Sequence, residues 1–101
     1  NWKYESRTFW FENIKRGVCS YKPDFFVESK EGSCYHETKV RLVAKDITKF
    51  KRMSLYYPYD PLILVMDRRH PAQLQKLTTA ERYVERIIYA NEILKKAGMK
   101  I

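Results

Sequence analysis

Residues 21–40 read Tyr21-Lys22-Pro23-Asp24-Phe25-Phe26-Val27-Glu28-Ser29-Lys30-Glu31-Gly32-Ser33-Cys34-Tyr35-His36-Glu37-Thr38-Lys39-Val40. Two runs rich in aromatic and β-favouring residues flank the polar segment Ser29 to Ser33, the composition of two strands joined by a hairpin loop. Side chains in a strand alternate between faces, so Tyr35, Glu37 and Lys39 project together while His36 points the other way, toward a core or hydrogen-bonding role. Pairing the strands brings Asp24 beside them. Two carboxylates and an ammonium on one sheet face can hold a divalent cation and set a water against a phosphodiester. The plainer alternative is three solvated charges on the open face of an antiparallel sheet.

Upstream, the aromatic-rich stretch from Trp2 to Glu12 predicts a first strand, Asn13 to Gly17 a turn, and Val18 to Glu28 a second strand, with Pro23 at an edge or irregularity. The third strand runs from Cys34 to about Arg41, completing an antiparallel meander. Downstream the period changes. Ile47, Phe50, Ser54 and Tyr57 recur at helical spacing between Ala44 and Tyr57, and Lys45, Lys49 and Arg52 form a basic stripe apart from them, with Lys51 nearby. Pro58 and Pro61 end that helix, and Leu62 to Met66 is a short apolar run suited to a strand buried on both faces. Asp67-Arg68-Arg69-His70-Pro71 then forms a basic loop. Thr78 and Glu81 have the spacing of a capping box, which predicts a helix to about Lys96, lined by Ala80, Val84, Ile87, Ile88, Asn91 and Leu94 and ended by Gly98. The expected fold is α/β (α+β): a mixed sheet of about four strands in the order βββαβ, then a C-terminal helix.

A chain of 101 residues makes one domain, here residues 1–66 as a core and 67–101 as a loop and helix. Twenty Lys and Arg against twelve Asp and Glu leave +8, an excess that suggests an anionic polymer, most simply nucleic acid. Eight Tyr, five Phe and two Trp argue against disorder. Cys19 and Cys34 lack the spacing of a zinc module and read as reduced core thiols rather than a disulfide. No apolar run approaches the roughly 20 residues that span a bilayer, and no signal sequence opens the chain. A soluble, cytoplasmic protein is expected, in the host cytoplasm if the source is viral. Asn1 leads almost directly into a strand pattern, which reads as a fragment lacking upstream residues.

At Pro23-Asp24 and Glu37-Thr38-Lys39, with a helix and an apolar strand following, the chain resembles the PD-(D/E)XK nuclease superfamily over approximately residues 1–66. The Tyr-x-Pro-Asp-Phe wording and the later Tyr-Tyr-Pro look most like its phage-type and transposon-type endonucleases and junction resolvases. The resemblance implies a restriction-endonuclease-like core and a metal-dependent DNA endonuclease. By it, Asp24, Glu37 and the backbone carbonyl of Thr38 would ligate Mg²⁺, with Mn²⁺ as substitute, and Lys39 would position or help deprotonate the attacking water. Lys45, Lys49, Lys51, Arg52, Arg68 and Arg69 would then hold the DNA backbone. The chain departs from the family pattern where Val40 replaces a common Gly, and where the helix that often supplies a further acid is missing; Glu5 and Glu12 are the substitutes in view. Tyr56, Tyr57 and Tyr59 read as packing groups rather than base-stacking platforms. The competing functions are a non-catalytic nucleic-acid-binding or assembly module and a nuclease-like subunit that needs a partner; a homodimer would suit double-strand or junction cleavage.

Overall fold

The structure, a computed structural model, describes residues 2–5, 7–29 and 32–96. In chain order the elements are β1 (Trp2–Tyr4), β2 (Phe9–Trp10), β3 (Ser20–Tyr21), β4 (Phe25–Ser29), β5 (Gly32–Lys39), α1 (Ala44–Tyr56), β6 (Leu62–Met66), a short 3-10 turn (Pro71–Gln73) leading into α2 (Leu74–Glu81), β7 (Arg86–Tyr89) and α3 (Ala90–Lys96). One mixed sheet has the order β1-β4-β5-β6-β7, and β2 and β3 form a separate two-stranded ribbon. β1, β4 and β5 are antiparallel neighbours, whereas β5, β6 and β7 run parallel, joined by α1 and α2. The fold is therefore mixed α/β with five sheet strands and three helices, compatible with the expected class.

The expected first strand is broken in two. Glu5 takes a left-handed backbone (φ 45°), and its N–H donates to the Asp24 carbonyl at 2.7 Å, so the chain leaves the main sheet after Tyr4. The expected second strand breaks too, at Pro23-Asp24. Pro23 has no N–H to give a ladder, and its ring is fully buried. The released segments pair as the β2–β3 ribbon, in register Phe9↔Tyr21 and Trp10↔Ser20. This ribbon turns Phe9, Phe11 and Tyr21 into the core, where burial contributes roughly 1.5–3 kcal/mol for each such side chain. The two strands pair as a hairpin as expected, with Phe25 opposite His36, but the pairing extends into the segment expected as loop, Ser29 opposite Gly32, and β5 runs Gly32–Lys39 rather than from Cys34 to about Arg41.

α1 begins at Ala44 as the periodicity predicts and buries Phe50 and Met53 against Tyr35, Leu62, Leu64 and Met66. α2 packs against α1 and adds Leu77 and Ala80 to the same core. The single helix expected over 78–96 does not form. Thr78 lies inside α2 and donates to the Leu74 carbonyl at 2.9 Å; Thr79 does likewise to Gln75 at 3.0 Å, so neither caps a helix start. The chain turns at 82–85 and Arg86–Tyr89 extends along β6, Leu64 pairing with Ile87 and Met66 with Tyr89. The reason is β6: an apolar strand with an open edge presents unpaired backbone, which the β-branched and aromatic run Ile87-Ile88-Tyr89 satisfies while burying Tyr89. Gly98 lies outside the described residues. No helix among the described residues is long and apolar enough to cross a membrane. Both cysteines are free thiols, Cys34 half-buried on β5 and Cys19 exposed, so Cys19 is not the core residue expected.

Candidate functional site

Asp24 occupies the step between the ribbon and β4, and four contacts fix it. Its carbonyl accepts from Glu5 N–H at 2.7 Å, and its own N–H donates to Glu37 Oε2 at 3.1 Å. Its Oδ2 accepts from the Thr38 N–H at 2.9 Å and from the Thr38 hydroxyl at 2.8 Å. The backbone of Asp24 thus grips Glu37 while its carboxylate is aimed by Thr38. Lys39, two residues along the same strand face as Glu37, places Nζ 3.9 Å from Glu37 Oε1. The three residues read from the hairpin come together.

Burial sets the electrostatics. Glu37 is 5% exposed at the centre of β5, beside Leu64 of β6. Desolvation first, and the neighbouring Asp24 charge second, push its pKa up to about 7, against the opposing pull of Tyr21, the Asp24 N–H and Lys39. Tyr21, carried in by β3, is buried over the same spot. Its ionisation is strongly suppressed, by burial first and then by Glu37, Asp24 and Asp46, so it stays a neutral phenol. Its hydroxyl nonetheless meets no partner with hydrogen-bond geometry.

A third acid completes the group. Asp46, in the first turn of α1 and 3% exposed, has Oδ1 3.1 Å from Lys39 Nζ and Oδ2 2.8 Å from the Val43 N–H it accepts from. The sequence pattern alone points to neither Asp46 nor Tyr21. The available signals were an acid three residues after Val43, where a helix start places a capping side chain, and an aromatic three residues before Asp24. Among the described residues no group of three Asp, Glu, His or Cys side chains forms a ready-made metal cage. A cation here would be held by Asp24 and Glu37, backbone oxygen and water, a set that suits Mg²⁺, which prefers hard oxygen ligands and keeps several waters.

Lys39 also faces open space. A depression of about 290 Å³ at the carboxyl ends of β5 and β6 is lined by Thr38, Lys39, Val40, Val65, Met66 and Asp67. Beyond Val40 a second one, about 420 Å³, is bordered by Arg41, His70, Gln73 and Lys76. Gln73, buried, accepts from the Leu42 N–H at 2.6 Å and so pins the loop after β5.

The expected basic contacts divide. Lys45 and Lys51 are exposed. Lys49 is half-buried, its Nζ 5.9 Å from the Tyr21 ring centroid. Arg52 turns inward and donates to the Val18 carbonyl, tying α1 to the strand entry, so it belongs to the scaffold rather than to a free stripe. Arg68 lies 3.8 Å from Asp67, which also holds His70 at 3.0 Å. Arg69 stacks over Tyr89 at 4.3 Å and sits 3.9 Å from Glu92. His36 is half-buried away from Glu37 and Lys39, its pKa lowered by burial and then by Arg86. Glu5 adjoins Asp24 through its backbone but directs its carboxylate to Lys22 at 4.0 Å, and Glu12 is exposed in the turn after β2. Tyr57 packs on Phe9 and donates to the Trp10 carbonyl at 2.6 Å, and Tyr56 stacks on Phe11, whereas Tyr59 is 95% exposed and does not pack as expected. No protein-family model matches the chain, and neither a curated protein nor a solved structure matches it.

Proposed function

We propose that this domain is a divalent-metal-dependent DNA endonuclease of the PD-(D/E)XK type with a restriction-endonuclease-like core. The observation that carries the reading is the convergence of Asp24, Glu37 and Lys39 around the Glu37 carboxylate, which is nearly fully buried with the Asp24 charge beside it. Burying Glu37 next to Asp24 is unfavourable for both anions, and a dication between them removes that penalty. Asp24 and Glu37 would hold Mg²⁺ or Mn²⁺, with the Thr38 carbonyl as a further ligand. Once bound, the cation would lower the pKa of a coordinated water and offset charge on the phosphate. Thr38 keeps the Asp24 carboxylate aimed by its two hydrogen bonds. Lys39, 29% exposed at the rim of the depression, orients the attacking water and stabilises the negative charge that grows on the phosphate oxygens. Lys45, Lys51 and Arg68 supply the exposed positive charge that would hold the sugar-phosphate backbone, with Lys49 and Arg69 partly engaged by aromatic rings.

Incubation with supercoiled plasmid, branched DNA and RNA, each with Mg²⁺, Mn²⁺ or chelator, tests the reading. The expected result is cutting of DNA only with a divalent ion. Glu37→Ala and Lys39→Ala should lower the rate by at least about a hundredfold while DNA binding in chelator is retained. If the wild type cuts none of these, the same basic surface serves a binding or assembly module instead. Restoration of cutting by an added partner subunit would mark the chain as one half of a nuclease.

A further inference from the structure

We propose that Asp46 is a positioning residue for Lys39, holding its ammonium at the rim of the acidic pair through the reaction; this rests on the nuclease reading above. The geometry is specific to that task. Lys39 Nζ is nearer to Asp46 (3.1 Å) than to Glu37 (3.9 Å), so its principal partner lies outside the pair that would take a cation. When Glu37 is engaged by a metal, the Asp46 contact remains. A flexible four-carbon side chain has many rotamers to lose, and one contact at 3.9 Å does not select among them.

Asp46 is itself immobilised. One oxygen is spent on the Val43 N–H at the start of α1, which leaves the other facing Lys39. Val43 belongs to the loop that Gln73 anchors through Leu42. Lys39, the loop after β5 and the first turn of α1 therefore form one rigid corner, and Asp46 is the residue all three share. At the third position of α1 a carboxylate is favoured by the helix dipole, and at 3% exposure its charge also needs a counter-ion, which the Lys39 ammonium 3.1 Å away supplies.

The test compares Asp46→Asn, Asp46→Glu, Lys39→Ala and the Lys39→Ala/Asp46→Asn double variant in Mg²⁺-dependent plasmid cleavage, with DNA affinity measured in chelator. Asn keeps an oxygen for Val43 and removes only the charge. Asp46→Asn should lower kcat roughly a hundredfold, the loss expected when a catalytic group drifts by about 1 Å, with KM, DNA affinity and melting temperature close to wild type. Asp46→Glu should recover most of the rate. In the Lys39→Ala background Asp46→Asn should cost nothing further, because the residue it serves is gone. Wild-type kcat in Asp46→Asn, or an equal loss in both backgrounds, overturns the assignment. A second readout needs neither metal nor DNA: the Lys39 ammonium protons should exchange slowly enough to be seen by ¹⁵N NMR in the wild type and be lost from view in Asp46→Asn. Should the wild type cleave nothing, the nuclease reading falls and the assignment of a role in its chemistry with it. The NMR comparison separates that outcome from failure of the clamp, since an ammonium equally mobile in both proteins shows that Asp46 never held it.

Discussion

Glu37 carries a consequence for stability that can be read from its surroundings. Its pKa is raised to about 7 in the folded chain, above the ordinary carboxylate value, because burial and Asp24 disfavour its charge. The folded state therefore binds the proton more tightly than the unfolded state. Its contribution to stability is fully present below the unfolded pKa of about 4.3 and is lost as pH rises through about 7, a change on the order of 3 kcal/mol. In chelator, Glu37→Gln should remove this fall, so that the wild type loses stability relative to the variant between pH 5 and pH 8 in urea titrations. Parallel curves for the two proteins would show that Glu37 is not the group responsible. Added Mg²⁺ should stabilise the wild type at pH 8 and leave Glu37→Gln little changed, since a ligand that binds only the folded state raises stability by mass action.

Among the elements, α1 does two jobs with one set of cations. Lys45 and Lys51 reach solvent, whereas Arg52 spends its guanidinium on the Val18 carbonyl. Lys45→Ala and Lys51→Ala should each weaken DNA binding in chelator and reduce the slope of log affinity against log salt by roughly one, without lowering stability. Arg52→Ala should do the reverse, lowering the melting temperature and leaving the salt slope intact. Equal salt slopes for all three variants would remove α1 from the DNA-facing surface. At the loop after β5, Gln73→Ala would leave the buried Leu42 N–H unpaired, a cost of about 1–3 kcal/mol in denaturant unfolding. Stability unchanged in Gln73→Ala would mean that this loop is held from elsewhere. α2 shows why the C-terminal third departs from the single helix its sequence pattern predicts. Thr78 and Glu81 have capping-box spacing, but Thr78 sits inside α2 with its hydroxyl returned to the Leu74 carbonyl, and only the open edge of β6 makes Arg86–Tyr89 extend.

Across the whole molecule, the legible features are those that depend on near neighbours in the chain. Alternation along Tyr35, Glu37 and Lys39, the helical period of α1 and the apolar run of β6 are local patterns, and all appear where the sequence places them. The less legible ones depend on what lies across a gap. The breaks at Glu5 and Pro23 divert the chain into a ribbon that delivers Tyr21 over Glu37, and Arg52 looks like a surface cation until Val18 arrives beside it. Sequence alone determined the hairpin, its two acids and its lysine, and the step from β5 through a helix to a parallel β6, because strand alternation and helix period are properties of the backbone itself. Tertiary structure decided the fifth strand, the inward arginine and the partnership of Asp46 with Lys39. Those turn on which charges share a buried volume and which strand edge remains open, and neither quantity exists until the chain has packed.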